Sequence, residues 1–356
     1  MTRKILFLTV FFTELLYSQI NFENGTLFEL FYKAENEKKV IMVDVYTDWC
    51  VWCVEIERLV YSRPEVYNYA NANLLNYKID AEKGEGVAFS RKYKVEGFPT
   101  ILFLTADGKE IDRIYGYYPA EEFMQMMTDY SNNRNTYLEL TARLRNNPKD
   151  VETNYRFAEK LLAMNNSAEA MNYFRRVIEL DQENKYGRRD DAEYMLALLS
   201  EDENSIKALE KFISSNPSSN KIRDAYISIG EKYYNINSDV QTAEKYYSEA
   251  LGKFPDDPKV ILAYGRFLNM QARAIGRNES STETDWNRGL ELTEKALEYV
   301  KGSVSEAASY YWQSVFYLNK KDYISSLNCI EKALSIFNAK PYREQKEKVE
   351  KLLSSN

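Results

Sequence analysis

The stretch that decides the N-terminal fold is residues 40–53, VIMVDVYTDWCVWC. Its first seven residues are apolar and β-rich, which is typical of a short, buried central strand. Cys50 and Cys53 follow as a Cys-x-x-Cys pair at the expected start of a helix. The helix dipole and the free backbone N–H groups there stabilise a thiolate, which is the reactive form of cysteine. The second thiol is close enough to attack the first sulfur, so the motif predicts thiol–disulfide exchange.

Strand and helix patterns alternate around this stretch, from about residue 22 to residue 131. The patterns predict four strands, at 40–46, 74–80, 100–105 and 110–115. The Asp107-Gly108 pair predicts a hairpin turn between the last two strands. Helices are predicted before the first strand, from Cys50 onward, between the strands and from about Pro119 to Tyr130. The order predicts a small α/β domain whose sheet has helices on both faces.

Two motifs in this region resemble thioredoxin. Residues 43–53 resemble its active-site strand and loop, and Gly97-Phe98-Pro99-Thr100 resembles its cis-proline loop. The segment is most similar to the periplasmic C-terminal domain of transmembrane thiol–disulfide interchange reductases, which has a similar Asp-x-Tyr-x-Asp-Trp-Cys-Val-x-Cys run and a Pro-Thr-Ile-Leu-Phe strand, here 99–103. The match covers under a third of the chain, without the reductases' membrane helices. Val51-Trp52 departs from the Gly-Pro of thioredoxin and from the Val-Ala type of the reductase domain.

Four residues are candidate catalytic residues. Cys50, nearer the helix start, is the expected attacking thiolate of the redox-active pair, and Cys53, one turn deeper, is the resolving thiol. Asp44 lies near the end of a buried strand, where a desolvated carboxylate has a raised pKa and can exchange a proton with Cys53. The resemblance implies the same role for Asp44. It also implies that Glu57 lies beside the nucleophile and restrains its ionisation; the alternative for Glu57 is a solvated helix face.

Four further residues are candidate substrate-binding residues. An X-Pro bond is the usual place for a cis peptide. The resemblance implies that Pro99 packs against the Cys-x-x-Cys loop and that the backbone before it pairs with substrate, so that Phe98 and Pro99 line the substrate groove. Trp49 and Trp52, together with Tyr46, are expected to form an apolar collar around the sulfurs. In the family, such collars favour loosely structured protein substrates.

The chain beyond about residue 135 has no strand pattern and contains a repeat. The repeat places a bulky residue between two small ones, with copies about 35 to 45 residues apart, near the period of tetratricopeptide helix pairs. The predicted copies are Ala170/Phe174/Val177, Ala208/Phe212/Ser215, Ala243/Tyr247/Ala250, Gly289/Thr293/Ala296 and Ser326/Ile330/Ala333. The region resembles an array of about five units, whose concave face would bind peptides or proteins. A spacer or dimerisation element is the alternative.

The predicted fold class is therefore an α/β thioredoxin-like domain followed by an all-α tetratricopeptide-type solenoid. Residues 272–284 depart from the repeat and are predicted to form a long loop inside the fourth unit. The expected boundaries are a signal peptide at 1–18, the thioredoxin-like domain at 19–131, a linker or helix at 132–150, the repeats at 151–340, and a capping helix and tail at 341–356.

Composition excludes several classes of function. The chain has 356 residues, a net charge of -7 and no histidine, so His-assisted catalysis and His-containing metal sites are impossible. Three cysteines cannot build a four-cysteine zinc site within one chain. No basic block stands out, which argues against nucleic acid as a partner. We therefore expect no cofactor or metal, and we expect Cys329 to be a buried structural cysteine.

The N-terminus predicts export. Arg3 and Lys4 give a positive start, residues 5–12 are apolar, and a cleavage site before Gln19 is compatible with a signal peptide. A periplasmic or otherwise exported protein is expected, with an N-terminal membrane anchor or an uncleaved segment as the alternative. If residues 1–18 are not a signal, a cytoplasmic location is expected. No later stretch is long and apolar enough to span a bilayer, so the mature chain is expected to have no transmembrane segment.

Taken together, these patterns predict an exported thiol–disulfide oxidoreductase that reduces or exchanges protein disulfides. The repeat array would bind protein clients or partners. A reductase in an oxidising compartment also needs an electron-donating redox partner protein, for which a membrane-bound one is expected. The alternative is a repeat-based scaffold or chaperone of the cell envelope with an accessory thioredoxin-like domain.

Overall fold

The computed structural model describes residues 19–354, and of Asp202 the backbone alone. The expected signal peptide at 1–18 lies outside the described residues. The N-terminal region holds a four-stranded sheet with helices. Its elements are α1 (Leu27–Glu37), β1 (Val40–Tyr46), α2 (Val51–Ile56), α3 (Pro64–Asn73), β2 (Leu74–Asp80), α4 (Glu85–Lys92), β3 (Thr100–Leu104), β4 (Glu110–Tyr115) and α5 (Ala120–Ser131). A π-helical turn, Glu57–Tyr61, continues α2.

The sheet has the strand order β2-β1-β3-β4. Strand β1 runs parallel to β2 and antiparallel to β3, and β4 runs antiparallel to β3. Successive side chains of a strand point to opposite faces. On β1, Ile41, Val43 and Val45 pack on the face that carries α1 and α4. Met42 packs on the other face, against α2 and α5, so the pleat turns Asp44 toward the underside of α2.

The remainder of the described chain is helical. Its helices are α6 (Tyr137–Asn146), α7 (Val151–Ala163), α8 (Ser167–Leu180), α9 (Arg189–Leu199), α10 (Asp202–Ser215), α11 (Ile222–Asn235), α12 (Val240–Lys253), α13 (Pro258–Arg277), α14 (Glu283–Val300), α15 (Ser305–Asn319), α16 (Tyr323–Ile336) and α17 (Lys340–Ser354). Helices α7 to α16 pack as five consecutive pairs. Within residues 19–354, no helix combines the length and the apolarity needed to cross a membrane.

The small-bulky-small repeat occupies the contacts between paired helices, as the sequence predicts, with one error. In the first and third pairs the predicted residues are buried, Phe174 and Tyr247 among them. The second copy is wrong by three positions, because the buried set is Ser205, Leu209 and Phe212. Ser205 fits there because its hydroxyl donates to the carbonyl oxygen of Ala197 at 2.6 Å, which satisfies a polar group that burial would otherwise penalise.

The predicted loop at 272–284 is also wrong. Helix α13 continues to Arg277, and only residues 278–282 separate it from α14. The extra turns of α13 are stabilised by packing, since Ala272 is fully buried against Trp312 and Phe316 of α15. Gly276 allows the close approach, because a methyl group at this position would lie 2.6 Å from the indole ring of Trp312.

The helical array contacts the sheet region through a buried ion pair. Lys160 of α7 donates to a carboxylate oxygen of Asp112 on β4 at 2.6 Å and to the hydroxyl of Tyr130 on α5 at 2.6 Å. Its ammonium also lies 4.0 Å from the centroid of the Tyr130 ring. Burial raises the pKa of Asp112 and lowers the pKa of Lys160, and each opposes the other's shift through its charge. The helical array and the sheet region are therefore joined by a buried contact in which the charged groups are paired.

Candidate active site

Cys50 and Cys53 form a disulfide at the N-terminus of α2. Cys50 is the N-cap residue of this helix, and its Sγ accepts a hydrogen bond from the backbone N–H of Cys53 at 3.0 Å. The same donor would stabilise a thiolate on Cys50 after reduction, because an N–H group at a helix N-terminus favours negative charge. Both cysteines are nearly buried, with Cys50 4% exposed. The sequence places the thiols where the exchange chemistry needs them.

Asp44 lies in the sheet beneath this helix and is fully buried. By distance and angle neither of its carboxylate oxygens is hydrogen-bonded among residues 19–354, although the buried hydroxyl of Tyr61 lies close enough to act on the carboxylate. Burial raises the pKa of Asp44 to about 6, and the positive charge of Lys78 and, after it, the hydroxyl of Tyr61 oppose that rise. Lys78 stands directly across the strand pair, at the position of β2 in register with Asp44. A carboxyl group with this pKa can take up or release a proton near neutral pH.

Glu57 differs from the arrangement that the resemblance implies. Its side chain is 44% exposed and forms an ion pair with Lys78. Within the described residues its side chain forms no hydrogen bond or ion pair with a cysteine, although its backbone N–H donates to the carbonyl of Cys53. Lys78 pairs with Glu57, and its charge also lowers the pKa of Asp44, so this lysine links the two carboxylates electrostatically. Lys78, whose ammonium also lies 4.3 Å from the centroid of the Tyr46 ring, was missed in the sequence; its position opposite Asp44 becomes visible only with the strand register.

Of the predicted substrate-binding residues, Trp49 contacts the loop that carries Phe98 and Pro99. The Phe98–Pro99 peptide bond is cis. Trp49 is 53% exposed, contacts the ring of Phe98 edge-on at 5.7 Å, and donates from Nε1 to Glu82 at 3.1 Å. Within residues 19–354, the backbone N–H and C=O groups of Phe98 make no hydrogen bond. These free groups beside the disulfide are available to pair with an extended chain.

Trp52, between the two cysteines, has a different environment. Its ring packs against the ring of Tyr117, with 5.4 Å between the ring centroids. The guanidinium of Arg266 on α13 lies 4.3 Å from the centroid of the Trp52 ring. Trp52 therefore contacts a cation from the helical array, whereas the apolar collar of Trp49, Trp52 and Tyr46 around the sulfurs stays a prediction.

Glu55 joins α2 to the array more directly. It is 1% exposed, and one carboxylate oxygen accepts from the backbone N–H of Val304 at 2.8 Å, across 249 residues of sequence. The other oxygen accepts from Arg58 at 2.9 Å, and Arg58 also donates to the carbonyl of Gly302 at 2.6 Å. No local signal marks Glu55 in the sequence, because the group that it binds is a loop amide far along the chain.

Cys329 is a free, buried cysteine on α16, and burial raises the pKa of its thiol. Its sulfur lies 3.7 Å from the side-chain oxygen of Gln313. A raised pKa disfavours the reactive thiolate. In the part of the chain that the structure describes, no group of three or more histidine, cysteine or carboxylate side chains could hold a metal ion.

Comparison with known proteins finds a family match for each part of the chain. Residues 29–131 match the family model of the thioredoxin-like domain, and residues 151–184 and 307–340 match that of the tetratricopeptide repeat. The chain contains a thioredoxin-like domain followed by tetratricopeptide repeats. The repeat matches fall on α7 and α8 and on α15 and α16, the first and last helix pairs of the array.

Curated relatives match only the thioredoxin-like domain. The thiol:disulfide interchange protein DsbD of Pectobacterium atrosepticum is 38% identical over 94 residues, and that of Haemophilus influenzae strain PittEE is 38% identical over 93. These matches cover 26% and 25% of this chain, and the chain spans 16% of the length of each relative.

Solved structures resemble each part separately. The oxidised C-terminal domain of Neisseria meningitidis DsbD is 23% identical, with a TM-score of 0.26, and the match covers 30% of this chain and 90% of that one. A tetratricopeptide repeat protein from Parabacteroides merdae is 12% identical, with a TM-score of 0.38, covering 65% of this chain and 80% of that one.

Proposed function

We propose that this protein is an exported thiol–disulfide oxidoreductase that reduces or exchanges disulfides of protein clients. The observation that carries the proposal is the Cys50–Cys53 disulfide at the N-cap of α2. Buried Asp44 beneath the helix and the unpaired backbone of Phe98 beside it support the same chemistry. The array would bind clients or partners, and the export signal would lie in residues 1–18.

The proposed cycle begins when a donor dithiol reduces the disulfide with two electrons and two protons. The Cys50 thiolate then attacks one sulfur of a client disulfide and expels the other client sulfur as a thiolate. Cys53 gives its proton to Asp44 and attacks Cys50 Sγ, which releases the second client thiolate and restores the Cys50–Cys53 bond. The proton lost when Cys50 ionised and the proton that Asp44 then gives up pass through solvent to the two client thiolates, so Asp44 returns to its starting state. The client disulfide is reduced, and the donor dithiol is oxidised. We propose a redox partner protein as the donor, with a membrane-bound one as the first candidate.

The roles of the surrounding residues follow from their positions. Trp49, Phe98 and Pro99 would form one rim of the client groove, and Trp52 would form the other. Glu57 would act through Lys78. Its negative charge offsets the positive charge of this lysine, which weakens the attraction between Lys78 and the Asp44 carboxylate and so raises the pKa of Asp44. In this proposal Glu57 is a positioning residue and not a contact of the nucleophile.

Two cysteine variants test the proposal. We expect Cys50→Ser to abolish insulin disulfide reduction with dithiothreitol as donor. We expect Cys53→Ser to trap disulfide-linked client adducts, because Cys50 still attacks but no resolving thiol remains. Cys329→Ser is the matched control and should retain activity and adducts. Undiminished reduction by Cys50→Ser would refute the proposal. Absent adducts, with Cys50 accessible to alkylation, would favour the scaffold or chaperone alternative.

Cell fractionation tests the location independently. A C-terminally tagged full-length chain should appear in the exported fraction, shortened by about the length of residues 1–18. An unshortened chain in the membrane fraction would favour the N-terminal anchor, and a cytoplasmic chain would contradict export while leaving the exchange chemistry to the cysteine variants.

A further inference from the structure

The array places a cation at the redox centre. Arg266 of α13 stacks on Trp52, the residue between the two cysteines. Its Nε donates to the hydroxyl of Ser305 on α15 at 3.0 Å, which fixes the plane of the guanidinium. Gly265 permits this placement, because a methyl group there would lie 2.5 Å from a side-chain carbon of Val300. Tight packing of α13 on α14 therefore holds Arg266 against the active-site helix.

The guanidinium of Arg266 has N–H donors without an acceptor in the part of the chain that the structure describes. Among residues 19–354, Arg266 forms no ion pair, and Ser305 is its one hydrogen-bond acceptor. Glu55 and Glu231 are the acids whose charges act on Arg266; Glu55 is already used by Arg58 and the Val304 amide, and among residues 19–354 neither acid forms an ion pair with Arg266. Arg58, by contrast, has both terminal nitrogens occupied. Two terminal nitrogens of Arg266 thus remain beside the exposed ring of Trp52.

A partly buried arginine in this state is suited to a carboxylate. Burial lowers the pKa of Arg266, and the charges of Glu55 and Glu231 oppose that shift without forming an ion pair. Arginine nevertheless stays charged in proteins, and its planar fork matches the two oxygens of a carboxylate. Partial removal from water strengthens such a contact relative to one on an open surface.

We propose that Arg266 is a client-binding residue that selects disulfides with an acidic side chain next to the reacting cysteine. The proposal rests on the proposed oxidoreductase function and adds the class of substrate. In the mixed disulfide the client cysteine is bonded to Cys50, so the neighbouring client side chain lies over the Cys50–Trp52 segment. An Asp or Glu there would take the free donors of Arg266, whereas a Lys there would meet a like charge.

Three model peptides test the preference. They share one sequence and one disulfide and differ only in a Glu, Gln or Lys next to the cysteine. With dithiothreitol as donor, we expect the full-length protein to reduce the Glu peptide with a kcat/KM about tenfold above that of the Lys peptide, the size expected of one charge-assisted hydrogen bond. Arg266→Gln should bring the ratio close to one. Arg266→Lys keeps the charge but loses the fork, and should give an intermediate ratio.

Arg273→Gln is the matched control, because Arg273 lies on the same helix and is exposed. It should leave the ratio unchanged. Oxidised glutathione distinguishes the source of the carboxylate: an effect of Arg266→Gln on glutathione but not on the peptides would contradict the proposal. Equal lowering of all three peptide rates would also overturn it, because Arg266 would then only support Trp52.

The outcomes separate this proposal from the proposed function. If the wild-type protein reduces none of the peptides, the oxidoreductase function fails. If it reduces all three equally, the function stands and the role of Arg266 is refuted. Circular dichroism of each variant checks folding, and Arg266→Lys keeps the test valid if Arg266→Gln does not fold.

Discussion

Replacing Asp44 by Asn should stabilise the oxidised protein at neutral and alkaline pH. The carboxylate of Asp44 is fully buried, and by distance and angle its oxygens have no hydrogen-bond partner among residues 19–354. Ionising a carboxyl group in such a place removes a charge from water without full compensation. An asparagine has nearly the same shape and no charge, so the variant removes the cost and leaves the packing intact.

The size of the effect follows from the pKa of Asp44, about 6 against 3.8 for an ordinary aspartate. Below pH 3.8 the residue is protonated in both the folded and unfolded states. Between pH 3.8 and 6 the folded state binds more protons than the unfolded chain, so the free energy of unfolding falls as pH rises. One pKa unit corresponds to about 1.4 kcal/mol, so the full cost above pH 6 is about 3 kcal/mol.

Urea unfolding of the oxidised full-length chain measures this directly. We would compare wild type and Asp44→Asn at pH 3.5, 5 and 8 (values below, within and above the window) and follow the transition of the thioredoxin-like domain. The advantage of the variant should grow from pH 3.5 to pH 8 by about 3 kcal/mol. Glu35→Gln is the control, since Glu35 is an exposed carboxylate on α1 and should show no such growth.

A difference between wild type and variant that is the same at all three pH values would refute the reasoning. It would mean that Asp44 has an ordinary pKa in the folded protein. A variant that is less stable at pH 8 than wild type would refute it more strongly, because the charge of Asp44 would then stabilise the fold.

Three other changes test contacts of the array, two of them with the thioredoxin-like domain and the third between α13 and α14, each by urea unfolding of the full-length chain. Glu55→Ala should cost about 2 kcal/mol, because the Val304 amide loses its buried acceptor; an unchanged midpoint would contradict that contact. Lys160→Met should cost about 3 to 5 kcal/mol by leaving Asp112 charged and unpaired, and Asp112→Asn in the same chain should recover part of it. Gly265→Ala should cost about 1 to 3 kcal/mol, because its methyl group would overlap α14; a stabilised variant would show that the helices can separate.

Local patterns were sufficient to predict most of the N-terminal domain. The strands β1, β2 and β4 have the predicted bounds, and β3 ends one residue earlier. Strands β1, β2 and β3 are buried along almost their whole length, and β4 alternates between buried and less buried positions, so a short apolar run or a period of two marks each strand in the sequence. The cysteine pair was equally visible, because its spacing and its place after a strand are both local.

The contacts between distant segments could not be predicted. Glu55 lies in α2 and Glu57 lies in the π-helical turn that continues it, and the sequence analysis selected Glu57 as the functional residue. The structure buries Glu55 instead, because the loop before α15 covers that side of the helix. Amphipathic periodicity cannot distinguish a face that meets water from a face that meets another part of the chain through polar groups. Arg266 was missed for the same reason.

The errors in the array have a related cause. A small residue such as Ala208 or Ser215 fits the repeat by size, but the register is set by which residues meet the neighbouring helix. Ser205 and Leu209 do so. The turns of α13 around Ala272 were likewise wrongly predicted as a loop. Their helical conformation depends on packing against the indole of Trp312 on α15, which lies 40 residues further along the chain and leaves no local signal in the sequence.

The two tryptophans of the Trp49-Cys50-Val51-Trp52-Cys53 motif have different surroundings, and each tryptophan contacts a different part of the protein. Trp49 contacts Phe98 and Glu82, so its surroundings belong to the thioredoxin-like domain. Trp52 lies against Arg266, so its surroundings belong partly to the array. Under the proposed function, substitutions in α13 would alter one side of the client groove while the cysteines and the Phe98 backbone stay unchanged. Such an arrangement would let the array set which clients are preferred without altering the proposed exchange chemistry.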